Sequence, residues 1–119
     1  PELHALIARK LGVRPDHIIS EYGMCELSSQ AYDRTVGRTN CSRFNFPAWA
    51  RIRIVSPETQ AEVAEGETGL LQVFDLANIR SVLAILTGDL AIRRGDGFEL
   101  IGRATASEAR GCSLALSES

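Results

Sequence analysis

The feature that most constrains this chain is a series of alternating apolar segments in its second half, cut apart by turn-forming residues. In "ARIRIVS", Ile52 and Ile54 share one face while Arg51 and Arg53 take the other, which is the two-residue period of a half-buried strand. "GLLQVFD", "VLAILTGDLAIRR" and "GFELIGR" come after it, separated by "SPETQAEVAEGET", "LANIRS" and a tight "GDG". Strand–turn–strand spacing of this kind predicts an antiparallel sheet or a small barrel.

The first third has a different character. "PELHALIARKLG" places Leu3, Leu6, Ile7 and Leu11 on one helical face, with Arg9 and Lys10 in the last turn and Gly12 as the stop. "HIISEYG" reads as a short buried strand and "ELSSQAYD" as one or two helical turns, and the stretch 34–45 has loop chemistry. The expected class is α+β: a short α/β piece followed by a small antiparallel β subdomain. The helix and its following strand would normally pack on a sheet, so an uncovered apolar face is expected there.

At 119 residues the chain is one domain's worth, or a piece of a larger one, and its 45% hydrophobic content can build a core. A net charge of −2 is too small to argue for nucleic acid or an acidic lipid surface. Lys10 is the sole lysine, so a reaction needing a central ammonium has one candidate, near the amino end. Cys25, Cys41 and Cys112 are odd in number and lack C-x-x-C spacing, which argues against a disulfide framework or zinc clip and suits a reducing cytoplasm. The longest apolar run, "SVLAIL", is far short of the ~20 residues of a membrane span. The chain opens at proline rather than an initiator methionine, pointing to a processed or truncated amino end.

Several residues carry candidate chemistry. Tyr22-Gly23-x-Cys25-Glu26 offers an aromatic face for a base, a glycine where backbone can approach a ligand, and a carboxylate for a hard cation. An ordinary strand end with a surface glutamate would look the same. Asp89, after Gly88, can accept from two vicinal hydroxyls at once, or simply belong to a bulge or turn. Arg103, after Gly102, presents a planar five-donor fork, or ends a strand in solvent. Cys112, two residues after Arg110, is either a thiolate nucleophile or a small apolar filler. His4 and His17 have no acid or nucleophile spaced against them and read as structural.

In this order, the pieces resemble the adenylate-forming superfamily of acyl- and aryl-ligases. "YGMCE" looks like its Tyr-Gly-x-Thr-Glu motif, "TGDLA" its Gly-Asp motif, and "GRATASEARG" its Gly-Arg…Arg-Gly hinge. The finer resemblance is to the acyl-protein synthetase (LuxE-type) family, through "EYGMCELSSQAYD", "FPAWARIRIVSPETQ", "GETGLLQVFDLANIRSVLAILTGDLA" and "DGFELIGRATASEARGCSLAL". The resemblance implies the carboxyl-terminal part of an enzyme that activates a fatty or related carboxylic acid with ATP and Mg²⁺ as acyl-AMP, then transfers the acyl group to a cysteine. It implies an acyl reductase as partner. It divides the chain into 1–45, the end of the nucleotide-binding subdomain, 46–103, an antiparallel β subdomain, and 104–119, hinge and tail. Tyr22 would lie against the adenine, Gly23 would belong to the same nucleotide site, Cys25 would sit near the α-phosphate and Glu26 would hold Mg²⁺. Asp89 would hold the ribose hydroxyls, Arg103 would sit at ribose and hinge, and Cys112 would be the acyl acceptor. Cysteine stands at position 25 where the superfamily has threonine, and the superfamily's phosphate loop and acyl pocket have no counterpart here. Two alternatives stay open: part of an acyl- or aryl-coenzyme A ligase, and a non-catalytic binding module.

Overall fold

A computed structural model of the chain describes residues 2–33 and 43–104. Its main sheet is a meander of β3 (Ala50–Val55), β4 (Thr68–Asp75), β5 (Ala84–Arg94) and β6 (Gly97–Arg103), each antiparallel to the next. Ahead of it come one helix, α1 (Glu2–Leu11), and a two-residue ladder of β1 (Glu21–Tyr22) on β2 (Ala31–Tyr32). The class is α+β, as the alternation and the opening helical stripe predict. Among the described residues no helix is long and apolar enough to cross a membrane.

The meander arises from the sequence period. On β4, buried Gly69, Leu71, Val73 and Asp75 alternate with half-buried Leu70, Gln72 and Phe74. Ile54, Leu71, Val73, Ala91 and Phe98 are fully buried and share one core with Tyr22, Leu27 and Ala31. Full burial of each large apolar side chain contributes roughly 1.5–3 kcal/mol. The core thus ties the first third of the chain to the sheet. Phe44 completes the tie by exchanging backbone bonds with Phe98, at 2.8 and 3.0 Å.

Two expectations fail for identifiable reasons. "HIISEYG" is a strand only at Glu21–Tyr22, because Pro15–His17 form a 3₁₀ turn. Ser20 pairs instead with one residue, its N–H on the Asp33 carboxylate at 2.9 Å and its carbonyl on the Asp33 N–H at 3.1 Å. "ELSSQAYD" is not helical, because the Ser28 and Ser29 amides bond the Asp75 carboxylate rather than carbonyls one turn back. Within the expected loop, Phe44 and Asn45 form bridges to Phe98 and Tyr32, and 34–42 lie outside the described residues.

The apolar stripe of α1 is bare: no residue of the helix is buried, and Leu3, Leu6 and Leu11 are exposed. A side-chain hydrogen bond ties the helix to the chain beyond it, His4 Nε2 to the Ser20 hydroxyl at 3.1 Å. Ile18, by contrast, is buried.

Candidate functional site

Two irregularities in the sheet build the site. Gln72 pairs with Leu86 and Leu70 with Leu90, so Thr87, Gly88 and Asp89 of β5 together face the single Leu71. The Thr87 hydroxyl settles the extra backbone, donating to the Leu71 carbonyl at 2.8 Å and accepting from the Asp89 N–H at 3.2 Å. Two added residues leave the alternation intact, so Thr87, Asp89 and Ala91 are all buried. On β6, Leu90 pairs with Gly102 but Ala91 with Leu100, which inserts one extra residue at Ile101. A single added residue reverses the face taken by the side chains beyond it. That reversal sets Arg103 opposite Asp89, where its Nε lies 3.3 Å from Asp89 Oδ1. Gly102 sits inside the irregularity with φ +151°, a conformation that strains any L side chain.

Tyr22 approaches Asp89 from β1. Its hydroxyl donates to Asp89 Oδ2 at 2.7 Å, and its ring stands edge-on to Phe44, Phe46 and Phe98, with centroids 6.2, 6.2 and 5.3 Å away. Burial, then the hydrogen bond and negative charge of Asp89, push the Tyr22 phenol well above its ordinary pKa, so it stays a donor. Tyr22 is only 6% exposed, so most of its ring is committed to the aromatic cluster.

Tyr22, Asp89 and Arg103, from three separate motifs, are therefore joined at one carboxylate. Gly23, next to Tyr22, is exposed, and a Cβ there would meet nothing closer than Gln30 Cγ at 3.4 Å, so the fold itself does not demand glycine. Cys25 and Glu26 form the exposed tip of a turn closed by the Leu27 N–H on the Met24 carbonyl at 3.1 Å. Cys112 and Cys41 lie outside the described residues. Among the described residues, no group of three or more His, Cys, Asp or Glu could hold a metal ion. Glu26 stands at that tip as an exposed carboxylate.

Sequence reading missed Asp75. The signal was its place in the alternation: it occupies the buried parity after Gly69, Leu71 and Val73. It is 0% exposed, and its carboxylate accepts from the Ser28 and Ser29 amides at 3.0 and 2.8 Å, the Ser29 hydroxyl at 2.8 Å and the Ala77 amide at 3.0 Å. Burial works against ionisation, but the Ser29 hydroxyl and the three amides outweigh it and hold the carboxyl below the usual aspartate range. Asn78, also buried, accepts from the Ser28 hydroxyl at 2.6 Å and donates to the Glu26 carbonyl at 2.5 Å.

Comparison with known proteins gives the chain a family. The model of the family described as "Acyl-protein synthetase, LuxE" matches residues 2–119. A long-chain-fatty-acid–luciferin-component ligase of Aliivibrio fischeri is 31% identical over 83 residues, covering 62% of this chain and 22% of that protein. Apo MatB from Rhodopseudomonas palustris superposes with a TM-score of 0.64 at 18% identity, over 87% of this chain and 23% of its own. An ATP-bound RpMatB-BxBclM chimera gives 0.62 at 18% identity, over 86% and 23%. The luciferase-like enzyme of the nonluminescent mealworm Zophobas morio gives 0.56 at 18% identity, over 87% and 29%. These structures share the fold, and the chain spans about a fifth of the Aliivibrio relative's length. The chain belongs to the LuxE acyl-protein synthetase family.

Proposed function

We propose that this chain supplies the nucleotide-facing floor of an ATP-dependent ligase that activates a fatty or related carboxylic acid as acyl-AMP and passes the acyl group to a cysteine thiol. The observation that carries the reading is the convergence of Tyr22, Asp89 and Arg103, distant in sequence, on one buried carboxylate in a family of acyl-protein synthetases. Asp89 would receive the two ribose hydroxyls, with Tyr22 and Arg103 fixing its plane. The exposed backbone at Gly23, beside Tyr22, would lie under the adenine. Its glycine, which no neighbouring atom requires, is accounted for by a ligand's close approach. Glu26 would hold Mg²⁺ on the phosphates, and Cys25 would lie near the α-phosphate. Bound Mg²⁺ neutralises phosphate charge.

In the first step a carboxylate oxygen of the acid attacks the α-phosphorus and pyrophosphate leaves. In the second a thiolate attacks the acyl carbon and AMP leaves. Cys112 is the candidate acceptor, and an acyl reductase would be the partner that takes the acyl group onward. The segments 1–45, 46–103 and 104–119 would be the end of the nucleotide-binding subdomain, the β subdomain, and the hinge and tail. The bare stripe of α1 supports a covering by the rest of that nucleotide-binding subdomain. Cysteine usage supports a cytoplasmic setting.

The test is ATP–pyrophosphate exchange with a fatty acid. The 119-residue chain alone should give none, and the full-length native form should give exchange that Asp89→Ala abolishes. Exchange by the isolated chain, or full exchange in the Asp89→Ala enzyme, would overturn the assignment. Cys112→Ser should keep exchange and lose the covalent acyl-enzyme. Unchanged product with coenzyme A would instead favour a coenzyme A ligase.

A further inference from the structure

The turn bearing Cys25 and Glu26 is exposed, yet its base is fastened by buried groups from a distant part of the chain. Asp75 takes the amides of Ser28 and Ser29, and Asn78 takes the Glu26 carbonyl, across 46 to 52 positions of sequence. The lock is doubled at each point. The Ser29 hydroxyl donates to Asp75 while accepting from the Trp49 indole N–H at 2.9 Å, and the Asn78 amide also reaches the Val82 carbonyl at 3.0 Å. Among the described residues no buried side-chain polar atom lacks a partner. The buried Ser29 amide needs a partner for the fold's own stability, but the exposed Cys25–Glu26 turn ahead of it needs no such anchorage, since water would satisfy its groups. Fixing a side chain to within a fraction of an ångström does need it.

We infer that Asp75 and Asn78 are positioning residues that hold the Cys25–Glu26 turn in register with the bound Mg²⁺·ATP. This deepens the adenylation reading and rests on it. Asp75 touches neither nucleotide nor metal; it acts through the two serine amides. Asn78 acts through the carbonyl of Glu26 itself. The pair therefore governs where the Glu26 carboxylate sits when phosphate charge develops, a contribution to rate more than to nucleotide affinity.

The experiment compares full-length wild type, Asp75→Asn and Asn78→Ala. Asparagine at 75 keeps the shape but turns an amide nitrogen towards donors. Protection of the Ser28 and Ser29 amides against hydrogen exchange should fall. Exchange kcat should drop roughly 10- to 100-fold, with the KM for ATP within about threefold. Asn78→Ala, the milder lesion, should lose roughly 3- to 10-fold in kcat with the same unchanged KM. It carries the test alone if the Asp75 variant does not fold. Inactive wild type would refute the adenylation reading itself. With active wild type, loss of amide protection without loss of kcat would overturn the positioning role. So would retained amide protection in Asp75→Asn, or a loss of kcat no larger than the loss of folded protein.

Discussion

The two ends of the main sheet handle carboxylates in opposite ways. At the β5–β6 turn, Glu62 meets Arg93 and lies 3.6 Å from Arg53, Arg94 meets Glu99 at 3.1 Å, and the Glu65 carboxylate accepts the Gly95 N–H at 2.9 Å. All of these groups are partly or fully exposed, and each partner is a long side chain or a turn amide. At the other end, Asp75 is sealed and has no cationic partner among the described residues; its donors are amides and a hydroxyl. Exposed pairs gain little, because water screens them and ordering two flexible side chains costs entropy. A buried carboxylate must be matched by donors or it does not ionise, so its donors are held as firmly as it is. The first arrangement decorates a fold, while the second dictates the path of a loop.

The contrast can be broken most forcefully at Asp75. Asp75→Ala strands three amides and a hydroxyl, and should cost about 3–5 kcal/mol in urea unfolding. A loss below about 1 kcal/mol would mean that water enters and replaces the carboxylate. Tyr22→Phe comes next, at about 1.5–3 kcal/mol for a hydrogen bond to a carboxylate, with the aromatic packing kept. Equal stability of that variant would show the Tyr22 hydroxyl to be idle in the fold.

Acid sharpens the same comparison. The folded-state pKa of Asp75 is depressed, so its contribution is present above the ordinary aspartate value of about 3.9 and is lost as pH falls through the lower folded value. The urea midpoint of wild type should fall on acidification below about pH 4 more steeply than that of Asp75→Asn. Parallel curves would assign the acid sensitivity to other carboxylates. The smallest effect belongs to Glu62→Gln, which should change stability by about 0.2–1 kcal/mol despite removing two ion pairs, with less change still in high salt.

The sheet was legible in the sequence because its period is local. Ile52 and Ile54 against Arg51 and Arg53 need no knowledge of partners to announce a strand. Tyr22, Asp89 and Arg103 were singled out through resemblance, and the structure adds their meeting at one carboxylate. "ELSSQAYD" was misread for the complementary reason: what bends it is a carboxylate 46 residues further on, and no local pattern in two serines names that acceptor. Asp75 could have been flagged by parity alone, as a charge on the buried side of a strand. Its donors could not. "HIISEYG" failed similarly, since strand propensity in Ile18 and Ile19 cannot say whether a ladder partner exists at Ser20.

The two irregularities at the site differ in one arithmetic respect, and it governs what a slip of each seam would do. The insertion on β5 is even, so Asp89 keeps the face it would have had in a regular strand. The insertion at Ile101 is odd, and the Arg103 side chain owes its direction to it. Were β6 to slip into a regular ladder past Leu100 with its length unchanged, Gly102 would face Asp89 and Arg103 would turn to the opposite side. Were β5 to do the same past Leu86, Asp89 would slide to face Gly69 and stay on the buried side. A slip of one seam moves the carboxylate along its own face, while a slip of the other puts its cation on the wrong side of the sheet.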